Sequence, residues 1–442
     1  MRAGTARVKI TPPVGSPGSN GKRIREIRSD LYAKALVLDD GGKKAAIVTI
    51  DILLLGKCVV AEARALAQKQ TGIPAENILL AASHTHSGGG CSPMRDVWGT
   101  AVYDPKRVDE LVAKIAGVVA EADSRLVEAG VRVGRSHVDL NVNRWISTPD
   151  GAKWAPNPDG PADRALSVLR MDDAAGRPFC AIVNYAAHAS VATWGEHISA
   201  DFPGYMQAAL EKLYGPDFQA QFMNGASGDL KVNWLVRTQE GKLDFGYGKD
   251  DGPAKRYGVA LAGEAIKAFE LSEPVGDCRL AVASGDARFP LLTPPSAAEV
   301  ERILKEKRAK GENCAWEERI LPQLRDNTAP SFIPGEVQML RLGPDVAIAA
   351  VPGELFAAVG LAMRERLDCK NLFIAGYANG YAGYLPSDAS CREDGDKPRY
   401  DWHKFFWYPA GFAEGSEKAV LETAAALFAS TTRELKEERK TT

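Results

Sequence analysis

The feature that most constrains the fold is a strand–helix–strand succession near the start of the chain. Residues 44–55 form a nearly continuous apolar run, which is typical of a strand buried on both faces. Residues 58–70 then show helical periodicity, and a second apolar run of strand length follows at 77–82. Strands that alternate with helices favour an α/β fold with mixed, largely parallel β-sheets covered by helices.

Length and composition indicate an ordinary globular protein. The 442 residues contain no internal repeat or low-complexity linker, so we expect a single domain over 1–442 with two intimately packed lobes, roughly 1–275 and 276–442. A net charge of -2 argues against a broad basic surface that would bind nucleic acid or anionic lipid. The sequence shows no signal peptide and no run long enough for a transmembrane segment, which predicts a cytoplasmic protein.

Two histidines follow the second strand of this succession. His84 and His86 are two residues apart, so an extended backbone would direct both imidazoles to the same face. Glycines begin at Gly88, where they permit a ligand to approach the backbone closely. Open α/β sheets place their sites at the carboxyl ends of strands, which favours a metal or catalytic role. A surface loop with two solvated imidazoles is equally compatible with the spacing.

Further potential ligands follow other predicted strands. His188 closes one apolar strand, Glu354 follows a strand hairpin over 337–350, and Tyr384 lies in a later loop of glycines and tyrosines. In isolation His188 is equally explained as a core histidine, and Glu354 as an acid at the start of a helix over 355–367. Imidazole, carboxylate and phenolate are all ligands of Zn²⁺, so the coincidence of these strand ends favours a metal site.

Two segments offer groups that contact a substrate. Arg144 follows the strand-rich residues 126–142 and is suited to clamp an anion, although a structural role in packing against Trp145 is equally compatible. The Gly- and Asn-rich residues 224–233 suit a tight loop that presents backbone N–H groups to a substrate, whereas a plain turn is the alternative. The candidate substrate-binding residues are Gly88, Asn224, Asp229 and Asn233.

Taken together, these segments resemble the N-terminal catalytic domain of the neutral/alkaline non-lysosomal ceramidase family. The resemblance covers most of the chain. It rests on Ala-Gly-Thr-Ala-Arg-Val-Lys-Ile-Thr-Pro-Pro at 3–13, Ser-His-Thr-His-Ser-Gly-Gly at 83–89, Val-Pro-Gly-Glu at 351–354 and Asn-Gly-Tyr-Ala-Gly-Tyr at 379–384. It implies a ceramidase-like catalytic fold and an enzyme that acts on a small-molecule or lipid-like substrate.

The resemblance also assigns roles to individual residues. It implies one zinc ion per chain, held by His84, His188, Glu354 and Tyr384. It implies that His86 contacts the substrate or the developing oxyanion. Arg144 matches an active-site arginine of the family, and Tyr408 is matched to a further active-site tyrosine.

The chain departs from the family pattern at one position that bears on the chemistry. The family has a serine in a Gly-(Asp/Asn)-x-Ser-Pro-Asn loop, whereas residues 228–233 read Gly-Asp-Leu-Lys-Val-Asn, so Lys231 occupies the serine position. We therefore expect a zinc-dependent hydrolase that cleaves an amide (N-acyl) or related acyl bond with zinc-activated water. We also expect no C-terminal immunoglobulin-like domain.

Other functions stay open from the sequence. One is a cytoplasmic zinc hydrolase or lyase that acts on small polar or sugar-derived substrates. Another is a zinc-containing binding protein without catalytic activity. Lys231 is counted among the catalytic candidates, and together with Arg144 it favours an anionic substrate group over a ceramide headgroup.

Overall fold

The computed structural model describes residues 1–18, 22–89, 105–146, 148, 153–192, 195–247, 250–394 and 402–441. Its strands are β1 (Arg2–Lys9), β2 (Glu26–Ile27), β3 (Tyr32–Asp39), β4 (Lys44–Ile50), β5 (Ile78–Ala82), β6 (Val127–His137), β7 (Asn141–Ile146), β8 (Lys153–Asn157), β9 (Ala165–Asp173), β10 (Pro178–Tyr185), β11 (His197–Ile198), β12 (Gln219–Asn224), β13 (Leu230–Val232), β14 (Leu235–Arg237), β15 (Leu243–Phe245), β16 (Glu273–Pro274), β17 (Leu280–Pro290), β18 (Phe332–Leu342), β19 (Val346–Ala350), β20 (Glu354–Leu355), β21 (Asn371–Ala375) and β22 (Tyr384–Leu385). Its α-helices are α1 (Lys57–Thr71), α2 (Pro105–Ser124), α3 (Asp201–Tyr214), α4 (Gly252–Glu270), α5 (Ala297–Lys310), α6 (Ala315–Arg325), α7 (Ala357–Arg366), α8 (Asp388–Asp394), α9 (Trp402–Phe405) and α10 (Ser416–Thr441).

Two β-sheets form the centre of the fold. The larger has the order β12–β10–β9–β6–β1–β3–β4–β5, with β16 beside β6, and the smaller has the order β17–β18–β19–β21. The predicted class of mixed sheets covered by helices is confirmed. Parallel pairs are nevertheless the minority, because only β4 with β5 and β10 with β12 are parallel along the larger sheet. The other neighbours in that order are antiparallel.

The prediction of largely parallel strands rested in part on the apolar run of β4, which is buried on both faces for another reason. Side chains alternate along a strand, so Ala46 and Val48 pack with α1 and α2 on one face, whereas Ala45 and Ile47 face the smaller sheet on the other. The apolar run correctly indicated two covered faces. One cover is a second sheet rather than a second layer of helices, and packing between sheets does not require parallel strands.

The molecule therefore has four layers. Helices α1 and α2 cover one part of the larger sheet, and α3 and α4 cover another part of the same face. The two sheets share one cluster of buried side chains, and α7 and α10 cover the outer face of the smaller sheet. No helix in the described part of the chain is long and apolar enough to cross a membrane.

Hydrogen bonds join the two sheets where their strands end. The side chain of Asn184, in β10, accepts from the backbone N–H of Ile374 at 3.1 Å and donates to its carbonyl at 2.8 Å. The side chain of Asn379 accepts from the N–H of Leu80 in β5 at 3.0 Å. These bonds bring the segments after β5, β10 and β21 to one place.

Candidate metal centre

His84 occupies a sharp turn immediately after β5. Its φ is +67°, a conformation that is uncommon outside glycine and that clusters at functional sites. Its backbone N–H donates to the carbonyl of Ile52 at 3.0 Å, and its Nδ1 lies 2.7 Å from the carbonyl oxygen of Leu53. The segment after β4 thus holds both the backbone and the ring of this histidine.

Three imidazoles converge at this turn. Nitrogen atoms of His84, His86 and His188 lie within 4.8 Å of one another, and Nε2 of His84 lies 3.1 Å from Nε2 of His188. The backbone N–H of His86 donates to the carbonyl of Ala189 at 3.0 Å, which joins the turn after β5 to the turn after β10. The predicted strand-end histidines therefore do meet, and we call these three residues the histidine trio.

Glu354 joins this group from β20, which follows β19 of the smaller sheet and pairs with β22. Its Oε2 lies 3.3 Å from Nε2 of His84 and 3.7 Å from Nε2 of His188. The residue lies in β20 and not at a helix start, since α7 begins at Ala357. Gly228 packs tightly against its backbone, because a Cβ there would lie 2.4 Å from the carbonyl oxygen of Glu354.

Tyr384 lies beside Glu354 through strand pairing. Strands β20 and β22 are parallel, and their register makes Glu354 and Tyr384 direct partners. The ring of Tyr384 is 5.9 Å from that of Trp154 and 6.5 Å from that of Phe356. Burial, and then the Glu354 carboxylate, raise the pKa of the Tyr384 phenol, and the opposing effect of the Arg144 guanidinium is smaller, so the phenol is neutral unless a metal ion binds it.

Two tyrosines that were not singled out from the sequence also contact Glu354. The hydroxyl of Tyr381 donates to Oε1 of the carboxylate, and the hydroxyl of Tyr377 lies 3.4 Å from Oε2. The Tyr377 ring stacks on the His84 ring at 4.0 Å, and its hydroxyl lies 2.9 Å from Oγ of Ser227. Tyr381 is the first tyrosine of the Tyr-x-x-Tyr motif at 381–384, and this motif was the one sequence signal that could have pointed to Tyr381 as a site residue.

The protonation states of these groups suit a cation. Carbonyl oxygens only accept, so Nδ1 of His84 donates to Leu53, and Nδ1 of His188 donates to the carbonyl of Ser227 at 3.2 Å. In neutral rings both Nε2 atoms then carry lone pairs. Burial lowers the pKa of His188 well below its usual range, which opposes protonation of the ring.

The distances between these atoms also fit a metal. Tetrahedral ligands about 2.0–2.1 Å from Zn²⁺ lie roughly 3.3 Å from one another. Nε2 of His84, Nε2 of His188 and Oε2 of Glu354 are separated by 3.1, 3.3 and 3.7 Å. The three donors therefore meet the spacing that zinc needs, and their roles as ligands stay predictions.

Arg144 lies against the histidine trio. Its Nη2 is 3.3 Å from Nδ1 of His188 and donates to the carbonyl of Gly228 at 2.7 Å. Its guanidinium carbon lies 3.8 Å from the ring centre of Trp154, as in a cation–π contact. Its Nε is buried without a hydrogen-bond partner. Arg144 thus packs on Trp154, whereas the alternative interpretation named Trp145, and it also borders the site.

Lys231 lies in a partly buried aromatic setting. Its Nζ is 4.8 Å from the ring centre of Tyr247 and 5.1 Å from that of Phe245. Burial, and then the charge of Arg144, lower the pKa of Lys231 to about 7. The charge of Lys231 in turn contributes to lowering the pKa of His86, after burial and the charges of His84 and Arg144.

Two predicted substrate-binding residues hold the framework together. Both side chains of this pair are buried. Asp229 accepts from the side chain of Asn143 at 2.8 Å and from the N–H of Ala357 at 2.6 Å, and burial raises its pKa to about 6. The side chain of Asn224 donates to the carbonyl of Ser83 at 3.2 Å, at the end of β5.

The other two predicted substrate-binding residues are held in different surroundings. Asn233 is exposed, and its backbone N–H donates to the carbonyl of Leu140 at 2.9 Å. Gly88 is buried, and a Cβ there would lie 3.3 Å from atoms of Ile52 and Thr85. The structure thus assigns close backbone packing to Gly88, and contact with a substrate stays a prediction for all four residues.

Tyr408 belongs to an aromatic group beside the site. Its ring is 5.8 Å from that of Phe406 and 6.0 Å from that of Phe412, and Phe406 is 5.2 Å from Tyr381. The carbonyl of Tyr408 accepts from the indole of Trp316 at 2.9 Å, and burial raises the pKa of its phenol to about 12. Within the described ranges, no hydrogen bond or ring contact joins Tyr408 to the histidine trio.

Comparison with known proteins gives consistent matches. Residues 18–241 match a family model described as neutral/alkaline non-lysosomal ceramidase, N-terminal. The neutral ceramidase of Pseudomonas aeruginosa is 24% identical over 451 aligned positions, which cover 87% of this chain and 66% of that protein. Neutral ceramidase B of Dictyostelium discoideum is 27% identical over 46% of this chain and 30% of its own length.

A solved structure shows the same fold. The crystal structure of the Pseudomonas aeruginosa neutral ceramidase matches with a TM-score of 0.73 at 20% identity, covering 97% of this chain and 74% of that one. The sequence matches described above span less than two thirds of the length of the curated relatives.

Proposed function

This chain belongs to the neutral/alkaline non-lysosomal ceramidase family, and we propose that it is a zinc-dependent hydrolase of an amide or related acyl bond. The observation that carries the proposal is the set of donor atoms of His84, His188 and Glu354, which are 3.1–3.7 Å apart in a buried site. Tyr384, the strand partner of Glu354, is proposed as the fourth ligand. Three or four N and O donors of this kind are typical of catalytic zinc.

A bound zinc ion would supply Lewis acidity towards a carbonyl and a lower pKa for water. The surrounding residues are arranged to serve the same reaction. A ring nitrogen of His86 lies within 4.8 Å of those of the two proposed histidine ligands, and burial lowers the pKa of His86 well below its usual range, so its imidazole is neutral and would donate a hydrogen bond to an oxyanion. Arg144 presents a fixed positive charge beside His188, where it would stabilise negative charge that develops on the substrate.

The substrate is proposed to be an acyl amide. The relatives named above are called neutral ceramidases, which supports an acyl bond as the target. The position that the family resemblance gives to serine is Lys231, so water is proposed as the nucleophile. A hydrolase of small polar or sugar-derived substrates and a binding protein without activity are the other outcomes of the test.

The test combines metal analysis with a substrate panel. Protein purified without added metal should contain about one zinc per chain, and His84→Ala should lose it together with hydrolysis, because a ligand is removed. His137→Ala is the matched control, since His137 is exposed in β6 and is not one of the three clustered histidines. The panel should compare long-chain ceramide, N-acyl amino acids, simple esters and glycosides. Wild-type protein that neither contains nor takes up zinc would refute the proposal, and zinc without turnover would favour a binding protein.

A further inference from the structure

Lys231 and Arg144 lie on one face of a small sheet beside the histidine trio. Strands β13 and β7 are antiparallel, and their register makes Lys231 the direct partner of Val142. Arg144 lies two residues beyond Val142, so strand alternation places it on the same face. Two positive side chains are therefore held close together, and the charge of each lies near that of the other.

This pair is connected to the reacting end of the site. Nη2 of Arg144 is 3.3 Å from Nδ1 of His188. The backbone N–H of His188 donates to the carbonyl of Leu230, the residue before Lys231, at 3.3 Å. A group bound by Lys231 and Arg144 would consequently belong to the same ligand as a group bound at the histidine trio.

In the described part of the chain, neither cation has a carboxylate in direct contact, and the carboxylates that act on Lys231 from further away are those of Asp201 and Asp244. Within the described ranges, no carboxylate lies within 4.0 Å of the charged nitrogens of Lys231 or Arg144. Aromatic faces contact both side chains, but a cation–π contact offsets only part of the cost of burying a charge. Nε of Arg144, in addition, is a buried donor without a hydrogen-bond partner. Buried charges are normally paired or lose their proton, and burial together with the charge of Arg144 lowers the pKa of Lys231 to about 7, so a bound anion would favour the charged form of this lysine.

Two aromatic rings contact the ammonium group of Lys231. Phe245 and Tyr247 are stacked with ring centres 5.4 Å apart, and Nζ of Lys231 lies over both. The hydroxyl of Tyr247 donates to the carbonyl of Val232 at 3.1 Å, which fixes this ring to β13. The ammonium is thus held by rigid apolar walls, and an anion there would interact with it at low dielectric and with strong effect.

We propose that Lys231 and Arg144 form the recognition site for an anionic group of the substrate, and that the substrate is an N-acyl amino acid or a related anionic acyl amide. The inference rests on the proposed hydrolase function and narrows its substrate class. The acyl chain is apolar, so the charge would lie on the amine portion of the amide. Lys231 is then a specificity-determining residue rather than the replacement for a nucleophile.

The test compares two ligands that differ in one charge. N-dodecanoylglycine and N-dodecanoylglycinamide are similar in size, but only the first carries a carboxylate. Calorimetry should show that the wild type binds the carboxylate at least about tenfold more tightly, since hydrogen bonds to charged groups are stronger than those between neutral groups. Lys231→Met should lower this ratio although Arg144 is still present, whereas Lys231→Arg should retain most of it. The matched control is Lys242→Met, because Lys242 is an exposed lysine in the turn before β15.

The outcomes separate this inference from the proposed function. Equal affinity of the wild type for the two ligands, or tighter binding of the amide, would refute the anion site without any variant. A Lys231→Met protein that weakens both ligands equally would also refute it, because the role would then be structural. Binding selective for the carboxylate without hydrolysis of any amide would refute the hydrolase and leave the anion site in place. Phosphate or sulfonate analogues that bind more tightly than the glycine compound would refute the N-acyl amino acid as the substrate and favour another anionic acyl amide.

Discussion

Replacing Tyr381 by phenylalanine would remove one hydroxyl from the candidate metal centre and leave the ring in place. That hydroxyl donates to Oε1 of the buried Glu354 carboxylate. A hydrogen bond to a charged group contributes about 1.5–3 kcal/mol, and loss of an outer partner typically weakens metal binding about 10- to 100-fold. One donor remains, since the hydroxyl of Tyr377 lies 3.4 Å from Oε2. We therefore expect Tyr381→Phe to bind zinc about 10- to 100-fold more weakly than the wild type.

Competition with a chromophoric chelator at neutral pH would measure this difference in zinc affinity. Tyr214→Phe is the matched control, because the Tyr214 hydroxyl donates to Oε1 of Glu270 at 2.7 Å on the surface between α3 and α4. The control should bind zinc as the wild type does. An unchanged affinity in Tyr381→Phe would refute the argument that this tyrosine holds Glu354 as a ligand. An equal loss in both variants would show that the effect does not depend on the site.

Two further predictions concern stability. Gly228→Ala should lower the free energy of unfolding by about 1–3 kcal/mol and weaken zinc binding, because its Cβ would lie 2.4 Å from the Glu354 carbonyl oxygen. Gly117→Ala, in an open position of α2, should instead stabilise by up to about 1 kcal/mol, and equal urea midpoints for the two variants would contradict the packing argument. Lys231 has a pKa of about 7 in the folded chain against an ordinary value of 10.5, so between these values the unfolded chain binds more protons and stability rises with pH. The stability of the wild type relative to Lys231→Met should therefore increase over this range in urea titrations, and a flat or falling difference would show that the ammonium is not buried as described.

The helices and the late hairpin could be predicted closely because their signals are local. Periodicity predicted a helix over 58–70, and α1 spans Lys57–Thr71. The apolar run 337–350 with its central glycine and proline predicted a hairpin, which β18 and β19 form. Such patterns depend only on neighbouring residues, so a single sequence contains them.

Sheet direction could not be predicted in the same way. The run in β4 reports that both faces are covered, and it does not report what covers them. Val48 packs against helices and Ile47 packs against the smaller sheet, yet both residues are β-branched and apolar. The direction of neighbouring strands depends on connections that span many residues, and those are not visible in the local pattern.

Candidate site residues could be predicted from the sequence where they lie at the end of a strand. Those that lie in the loop after β21 could not. His84, His188 and Glu354 follow or occupy short strands, and their side chains lie within 3.7 Å of one another. The contacts of Tyr377 and Tyr381 with Glu354 were not predicted, because the positions of both tyrosines depend on the conformation of the loop after β21, where Tyr377 has a φ of +56°. Long-range packing, and not spacing, places that loop over the carboxylate.

The division of the donor set between the two sheets has a consequence for how the molecule unfolds. His84 and His188 belong to strand ends of the larger sheet, and Glu354 follows the smaller one. An ion that all three hold can bind only when the sheets are docked, so its binding energy acts as a clamp across their shared interior. At a free ion concentration about 1,000-fold above Kd, such a clamp adds about 4 kcal/mol to the native state. Ion-loaded protein should accordingly lose both sheets in a single cooperative transition, and removal of the ion should lower the temperature at which that transition occurs.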